Sequence, residues 1–166
     1  MNTSAEKKPV SIRHALKAGD AAAVEQLVKE TGFFTPAEVA VAKELVEETL
    51  ARGASAGYAF VLADLEGSLA GYACYGEIPA TERRFDLYWI AVSPRYQRMG
   101  IGARILAEVE TAIAGLKGRA VYIETSSKPK YKPTRTFYTA SGYRLAAKLT
   151  NFYRDGDSKL IYEKWF

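Results

Sequence analysis

The chain has 166 residues, 48% of them hydrophobic and 12% aromatic, which is the usual size of one domain spanning 1–166, with a flexible N-terminus over 1–8, and enough apolar material for a sizeable core. The lone Cys74 excludes an internal disulfide or a cysteine-rich metal site. The start at Met1–Lys8 lacks the apolar core of a signal peptide and no apolar run approaches the ~20 residues that span a bilayer, so a soluble, cytoplasmic, membrane-free chain is expected. A net charge of +4 is modest and locally clustered, which argues against nucleic-acid binding as the main role.

Val10-Ser11-Ile12-Arg13 reads as a short first strand. Asp20 is placed to cap a helix that runs through Val24, Leu27 and Val28 to Thr31-Gly32. Thr35-Pro36-Ala37-Glu38 predicts a second helix start, with threonine as cap, proline in the first turn and glutamate three residues on. Val39, Ala42, Leu45, Val46 and Leu50 then recur at helical spacing until Gly53. Strands over 58–63 and 69–75 are joined by a hairpin turn at 64–68. Phe85 to Val92 is a central strand by its aromatic and β-branched content, closed by Ser93-Pro94. Ile101, Ile105, Leu106, Val109 and Ile113 mark one face of the next helix. A strand over 120–125, a short helix from Thr134 to Ser141, and strands over 143–149 and 159–165 complete the chain. This order gives an α/β (α+β) class, a mixed sheet flanked by helices.

The informative unit is a buried strand, then Gln97-Arg98-Met99-Gly100-Ile101-Gly102, then an amphipathic helix. A helix N-terminus presents unpaired N–H groups and a positive dipole end, and glycines let those donors close on a phosphate. A P-loop would need Lys and Ser/Thr after the last glycine, whereas Ala103-Arg104 follows Gly102. A dinucleotide fingerprint would open the fold with three spaced glycines, whereas this pair stands late in the chain. On these residues alone, a phosphate cradle and a helix start without a ligand both remain open. Arg95, Arg98 and Arg104 beside the turn, and Lys128, Lys130, Lys132 and Arg135 further on, suit a phosphorylated ligand.

The segment Trp89-Ile90-Ala91-Val92-Ser93-Pro94-Arg95-Tyr96-Gln97-Arg98-Met99-Gly100-Ile101-Gly102 resembles the acetyl-CoA-binding segment of GNAT N-acetyltransferases, with its Gln/Arg-x-x-Gly-x-Gly/Ala pattern. Thr136-Phe137-Tyr138-Thr139-Ala140-Ser141-Gly142-Tyr143 is similar to the family's later Tyr-x-x-x-Gly-Phe/Tyr segment. The resemblance implies a GNAT fold: a central, mostly antiparallel mixed sheet of about six to seven strands flanked by helices, with splayed parallel strands at the acetyl-CoA site. It also implies that main-chain groups of Ile90, Ala91 and Val92 pair with the pantetheine arm. The segment Gln97, Arg98, Met99, Gly100, Ile101, Gly102 and Ala103 would then hold the pyrophosphate. Tyr131 stands near the position where relatives carry a CoA-contacting asparagine. Many relatives dimerise, so a homodimer is expected by analogy, and no metal is called for.

Acetyl transfer to an amine must remove a proton from an ammonium of pKa about 10 and supply one to a thiolate of pKa about 8.5. By the family resemblance, Tyr138 is the expected general acid and Glu124 the expected general base, and a backbone N–H near Val92 polarises the carbonyl. Packing for Tyr138 and a salt bridge for Glu124 are the competing structural roles. Glu77 and Asp86 are rival bases or attractors for a cationic amine. Phe33, Phe34, Tyr88, Phe152 and Tyr153 are an expected aromatic lining for the acceptor, drawn from the first two helices, the 77–82 loop and the 151–158 turn. His14, the only histidine, is expected in a surface or packing role. The expected activity is N-acetylation of a primary amine on a small molecule or a peptide N-terminus, and the alternative is a CoA-binding sensor or structural module without turnover.

Overall fold

Period-two and period-3.6 patterning resolve into β1 (Ser11–Arg13), α1 (Asp20–Glu30), α2 (Pro36–Arg52), β2 (Ala59–Leu65), β3 (Ser68–Glu77), β4 (Arg84–Val92), α3 (Ile101–Gly115), β5 (Ala120–Ser126), α4 (Lys132–Ala140), β6 (Arg144–Arg154) and β7 (Asp157–Trp165). These come from a computed structural model that describes residues 9–166. The expected flexible stretch 1–8 lies outside the described residues. The strands form a seven-stranded sheet in the order β1-β2-β3-β4-β5-β7-β6. β4 and β5 are parallel, while β1/β2, β5/β7 and β6/β7 are antiparallel, so the sheet is mixed as expected.

Packing groups the chain into two compact units, one running up to Cys74 and resuming at Trp89–Glu108, the other made of Tyr75–Tyr88 and Val109–Phe166. In the first, Val24, Leu27 and Val28 of α1 and Val39, Ala42 and Val46 of α2 are buried with Phe60, Leu62, Tyr72 and Cys74 of β2 and β3. Burial pushes the Cys74 thiol up to about 12, so it stays a protonated core side chain. In the second, Phe85, Leu87, Val121, Ile123, Leu160 and Tyr162 are buried with Val109, Ile113, Tyr138 and Tyr143.

Local chemistry explains most helix ends. Thr35 accepts from the Glu38 amide while Glu38 accepts from the Thr35 amide at 2.7 Å, a full capping box. Asp20 differs from its expected role: Gly19 is the cap residue and Asp20 the first residue of α1. Its carboxylate is instead held by Arg13 at 2.7 and 2.8 Å and by the Lys17 amide. Burial works against its charge, yet those hydrogen bonds outweigh it and hold the carboxyl below its ordinary value. Arg13 also reaches Asp64 of β2 at 2.7 Å, so the β1–β2 pair and the start of α1 share one cation.

Two hairpins are tighter than expected. The β2–β3 link is a turn at Glu66-Gly67, both at positive φ (54° and 79°), the mirror-image turn that matches strand twist. Between β6 and β7 the expected 151–158 turn is largely strand, and the turn proper is Asp155-Gly156. The register jumps from Leu149↔Lys159 to Arg154↔Asp157, so the four residues Thr150 to Tyr153 stand opposite Ser158 alone. This bulge is pinned by Ser158 Oγ, which accepts from the Asn151 amide at 3.2 Å, and by Asn151 Oδ1, which accepts from the Gly156 amide at 3.0 Å.

Candidate functional site

In the first unit, β4 delivers the chain to a turn built for anions. The Ser93 amide donates to the Ala70 carbonyl of β3 at 2.8 Å. Strand alternation therefore turns the N–H groups of Ile90 and Val92 to the edge away from β3. Gln97 donates weakly to the Val92 carbonyl at 3.4 Å. Arg98 and Gly100 take left-handed backbone (φ 62° and 78°), the kind of conformation in which successive N–H groups form an anion-binding concavity. Arg98, Met99 and Gly100 are exposed. A left-handed, solvent-facing arginine costs on the order of 1–2 kcal/mol, strain that clusters at ligand-binding turns.

The first amide of α3 seen bonding back is Arg104 to the Gly100 carbonyl at 3.0 Å. Ile101, Gly102 and Ala103 thus occupy the part of a helix whose N–H groups lack intrahelical acceptors. No acidic side chain stands in this first turn, so nothing in it opposes a bound phosphate.

Gly71 of β3 sets how closely this helix approaches, a role that the sequence reading missed. A β-carbon there would lie 2.8 Å from Ile105 Cδ1, 3.0 Å from the Ala91 carbonyl and 3.3 Å from Ile101 Cγ2. A glycine inside an apolar strand is the signal for such an approach. Phe34 packs against Trp89 with ring centroids 4.9 Å apart and ring planes tilted by 58°. It also borders a groove of about 260 Å³ with Glu25, Lys29, Pro36, Val39 and Ala40, in the helix region expected to serve the acceptor. His14 is exposed and 3.8 Å from Glu108, in keeping with a surface role.

In the second unit, the parallel register of β4 and β5 runs from Arg84↔Ala120 to Leu87↔Ile123, while both strands continue past it. Register and alternation place Asp86, Tyr122 and Glu124 on one sheet face. Lys159 and Ile161 of β7 lie on that face too, opposite Ser126 and Glu124. Glu124 is exposed, and its Oε2 is 2.7 Å from Lys159 Nζ. The expected base is therefore ion-paired. Tyr138 is buried in an aromatic group with Phe137, Tyr162 and Tyr143, at centroid distances of 5.7, 6.0 and 6.2 Å. Burial raises its phenol well above the ordinary value, so it is protonated near neutrality, as a proton donor must be.

Glu77 accepts from the Arg83 amide at 3.1 Å and braces its own loop. Tyr131 ends a 3-10 turn at Pro129–Tyr131, with Lys130 Nζ 5.0 Å from its ring centroid. Arg135, counted among the basic residues suited to phosphate, points inward: it donates to the Ser126 and Lys128 carbonyls at 2.8 and 3.0 Å. Ser126 also donates to Asp157, which ties the same loop to the start of β7. No group of three or more His, Cys, Asp or Glu among the described residues is placed to hold a metal ion. No helix among them is long and apolar enough to cross a membrane.

Asp86 is half-buried. Burial first, and the charge of Glu124 second, raise its carboxyl above the ordinary value, against the opposing pull of Lys159. With the folded value above the unfolded one, the related stability is present below the ordinary carboxyl range of about 4 and is lost as pH rises through the raised value. Asp86→Asn is therefore expected to raise Tm at about pH 7, with the gain vanishing by about pH 3. Thermal melts at the two pH values check this, and an unchanged or lower Tm at the higher one overturns it.

A family model for the Acetyltransferase (GNAT) family matches residues 23–143. Among solved structures, a GNAT-family acetyltransferase candidate from Desulfovibrio desulfuricans is 48% identical, superposes with a TM-score of 0.93, and the match covers 95% of this chain and 99% of that one. The ribosomal-protein-S18-alanine N-acetyltransferase of Escherichia coli is 18% identical, with a TM-score of 0.74 and 93% and 92% coverage. The PaiA N-acetyltransferase of Thermoplasma acidophilum, solved with coenzyme A, is 18% identical, with a TM-score of 0.75 and 95% and 99% coverage. The last two likenesses speak for the fold. The comparison with curated proteins finds no match.

Proposed function

The chain belongs to the GNAT acetyltransferase family, and from that premise we propose that it is a single catalytic domain that moves acetyl from acetyl-CoA to a primary amine, on a small molecule or a peptide N-terminus, by direct attack in a ternary complex. The observation that carries this reading is the start of α3. Left-handed Arg98 and Gly100 precede three helix-start amides with no acidic neighbour in the first turn, a fit for a pyrophosphate. Gln97 to Ala103 hold that group, and Tyr131 lies along the cofactor. The outward edge at Ile90 and Val92 offers main-chain pairing to the pantetheine arm, as an open strand edge does to any amide-bearing ligand, with Ala91 between them.

The thioester supplies an activated acetyl carbon. The Val92 amide donates to its carbonyl oxygen as negative charge develops there. Glu124 takes a proton from the acceptor ammonium, the freed nitrogen forms a bond to the carbonyl carbon, and the carbon–sulfur bond breaks. The departing thiolate takes a proton from the Tyr138 phenol, and the product nitrogen gives up its remaining extra proton to solvent. Glu124 then releases its proton to solvent and Tyr138 regains one from solvent, so that atoms and charge balance, with an amide and free CoA as products.

The Lys159–Glu124 ion pair and the aromatic packing of Tyr138 favour one rival reading, a CoA-binding module without turnover. An amine panel with thiol detection separates the two. The proposed enzyme releases CoA with at least one amine, and Glu124→Gln and Tyr138→Phe each lower kcat about 100-fold, the low end for acid–base groups. Tight CoA binding with no thiol release across the panel overturns the proposal.

A further inference from the structure

The ammonium of Lys159 sits between a carboxylate and two aromatic rings. Its Nζ lies 2.7 Å from Glu124 Oε2, 3.9 Å from the Phe152 ring centroid and 5.9 Å from that of Tyr153. The two rings meet edge to face at 5.2 Å and 89°. A carboxylate on one side and aromatic faces on the other is the environment that desolvates and holds a compact cation.

The rings do not arrive there by regular strand geometry. They belong to the β6 bulge, where four residues oppose Ser158 and Asn151 is left-handed (φ 55°), and bulges of this kind re-aim side chains beside functional sites. The bulge is fastened on both sides, since the Ser127 amide donates to the Ser158 carbonyl and Ser127 Oγ accepts from the Ser158 amide, both at 2.9 Å. Phe152 and Tyr153 nevertheless leave 52% and 45% of their surface exposed. A lysine cap alone explains neither the fastening nor the exposed aromatic area.

We infer that Glu124, Phe152 and Tyr153 form the subsite for the acceptor's ammonium, that Lys159 fills it as an internal stand-in, and that a primary alkylammonium on an unbranched carbon chain enters by displacing Lys159. This rests on the amine-acetylation reading above and narrows its acceptor to the chemistry of Lys159 itself. Exchange of one ammonium for another leaves Glu124 paired throughout. The half-buried Asp86 carboxyl, whose charge Lys159 also feels, adds to the negative field that draws the cation in. Removal of the stand-in lifts a tethered competitor whose effective concentration is in the millimolar range, so a site that holds an ammonium with a dissociation constant about tenfold below that range gains about tenfold in affinity.

The probe is n-butylammonium, titrated without acetyl-CoA and followed by NMR. Lys159→Met, which keeps the length and apolar stem of the side chain, is expected to bind it about tenfold tighter than the unaltered chain, and Glu124→Gln in the Lys159→Met background loses that gain. In the unaltered chain, the Lys159 Cε resonance, shifted by the Phe152 ring, moves to the value of a solvent-exposed lysine as the probe is added. No tightening in the Lys159→Met variant, or a Lys159 resonance that stays in place at saturation, overturns the inference. Neither readout involves acetyl transfer, so a failure of the enzymatic reading would appear separately, as CoA binding without thiol release.

Discussion

Gly102→Asp is expected to weaken acetyl-CoA binding about 100-fold while leaving the fold intact. Gly102 is the second residue of α3, in the turn whose amides precede the first observed intrahelical bond, Arg104 to Gly100. An aspartate there is well tolerated by an isolated helix, because a carboxylate in the first turn opposes no charge and suits the dipole. Against a pyrophosphate the sign reverses. Two unit charges about 4 Å apart repel by about 4 kcal/mol at an effective dielectric near 20, and solvent and salt reduce that to the roughly 2.7 kcal/mol that equals 100-fold. Calorimetric titration with acetyl-CoA reads the affinity, and thermal melting reads the fold. Unchanged affinity in a folded variant would show that the anion binds elsewhere.

Gly71→Val is expected to lower stability by about 3 kcal/mol, the upper end for an overpacked core, and to raise the KM for acetyl-CoA as well. The first β-carbon alone would stand 2.8 Å from Ile105 and 3.0 Å from the Ala91 carbonyl, and valine adds two methyl groups beyond it. The Ile105 tip can turn aside, but Ala91 is strand backbone and can move only with β4. A loss of that size corresponds to a Tm drop of about 6–12 °C in a chain of this length. The displacement falls on Ile101 and Ile105, the two buried residues that seat the first turns of α3, so the helix start shifts relative to the strand that precedes it. A Tm drop with unaltered KM would reduce Gly71 to a packing residue.

The helices and strands were legible because their signals are local. Thr35 and Glu38 specify the α2 start within four residues, and the capping box forms as read. The run Phe85 to Val92 could only be a strand before Ser93-Pro94, and it is β4. Asp20 escapes a local reading because its partner, Arg13, stands seven residues away across a loop, opposite Leu62 in the β1–β2 register and diagonally across from Asp64, to which it also donates. A charged partner with two donors outcompetes a helix N–H, and nothing near Asp20 in the chain announces it. The 151–158 stretch is expected from the sequence only as the turn that links the last two strands. Its Asn, Asp and Gly residues instead build a bulge and a two-residue hairpin turn, held by the Asn151 amide donating to Ser158 Oγ and the Gly156 amide donating to Asn151 Oδ1.

The turn from Gln97 to Ala103 was determined by the sequence itself: glycine at the left-handed position, a helix start free of acid and a preceding strand lie within fourteen residues, and backbone chemistry needs no distant partner. The state of Glu124 was not. Its ion pair depends on Lys159, thirty-five residues on, and the rings that enclose that lysine depend on a register jump in β6. Electrostatics and aromatic contacts fall off over a few ångströms, and only the pairing of β5, β7 and β6 in the tertiary structure decides which charges and rings come within that range.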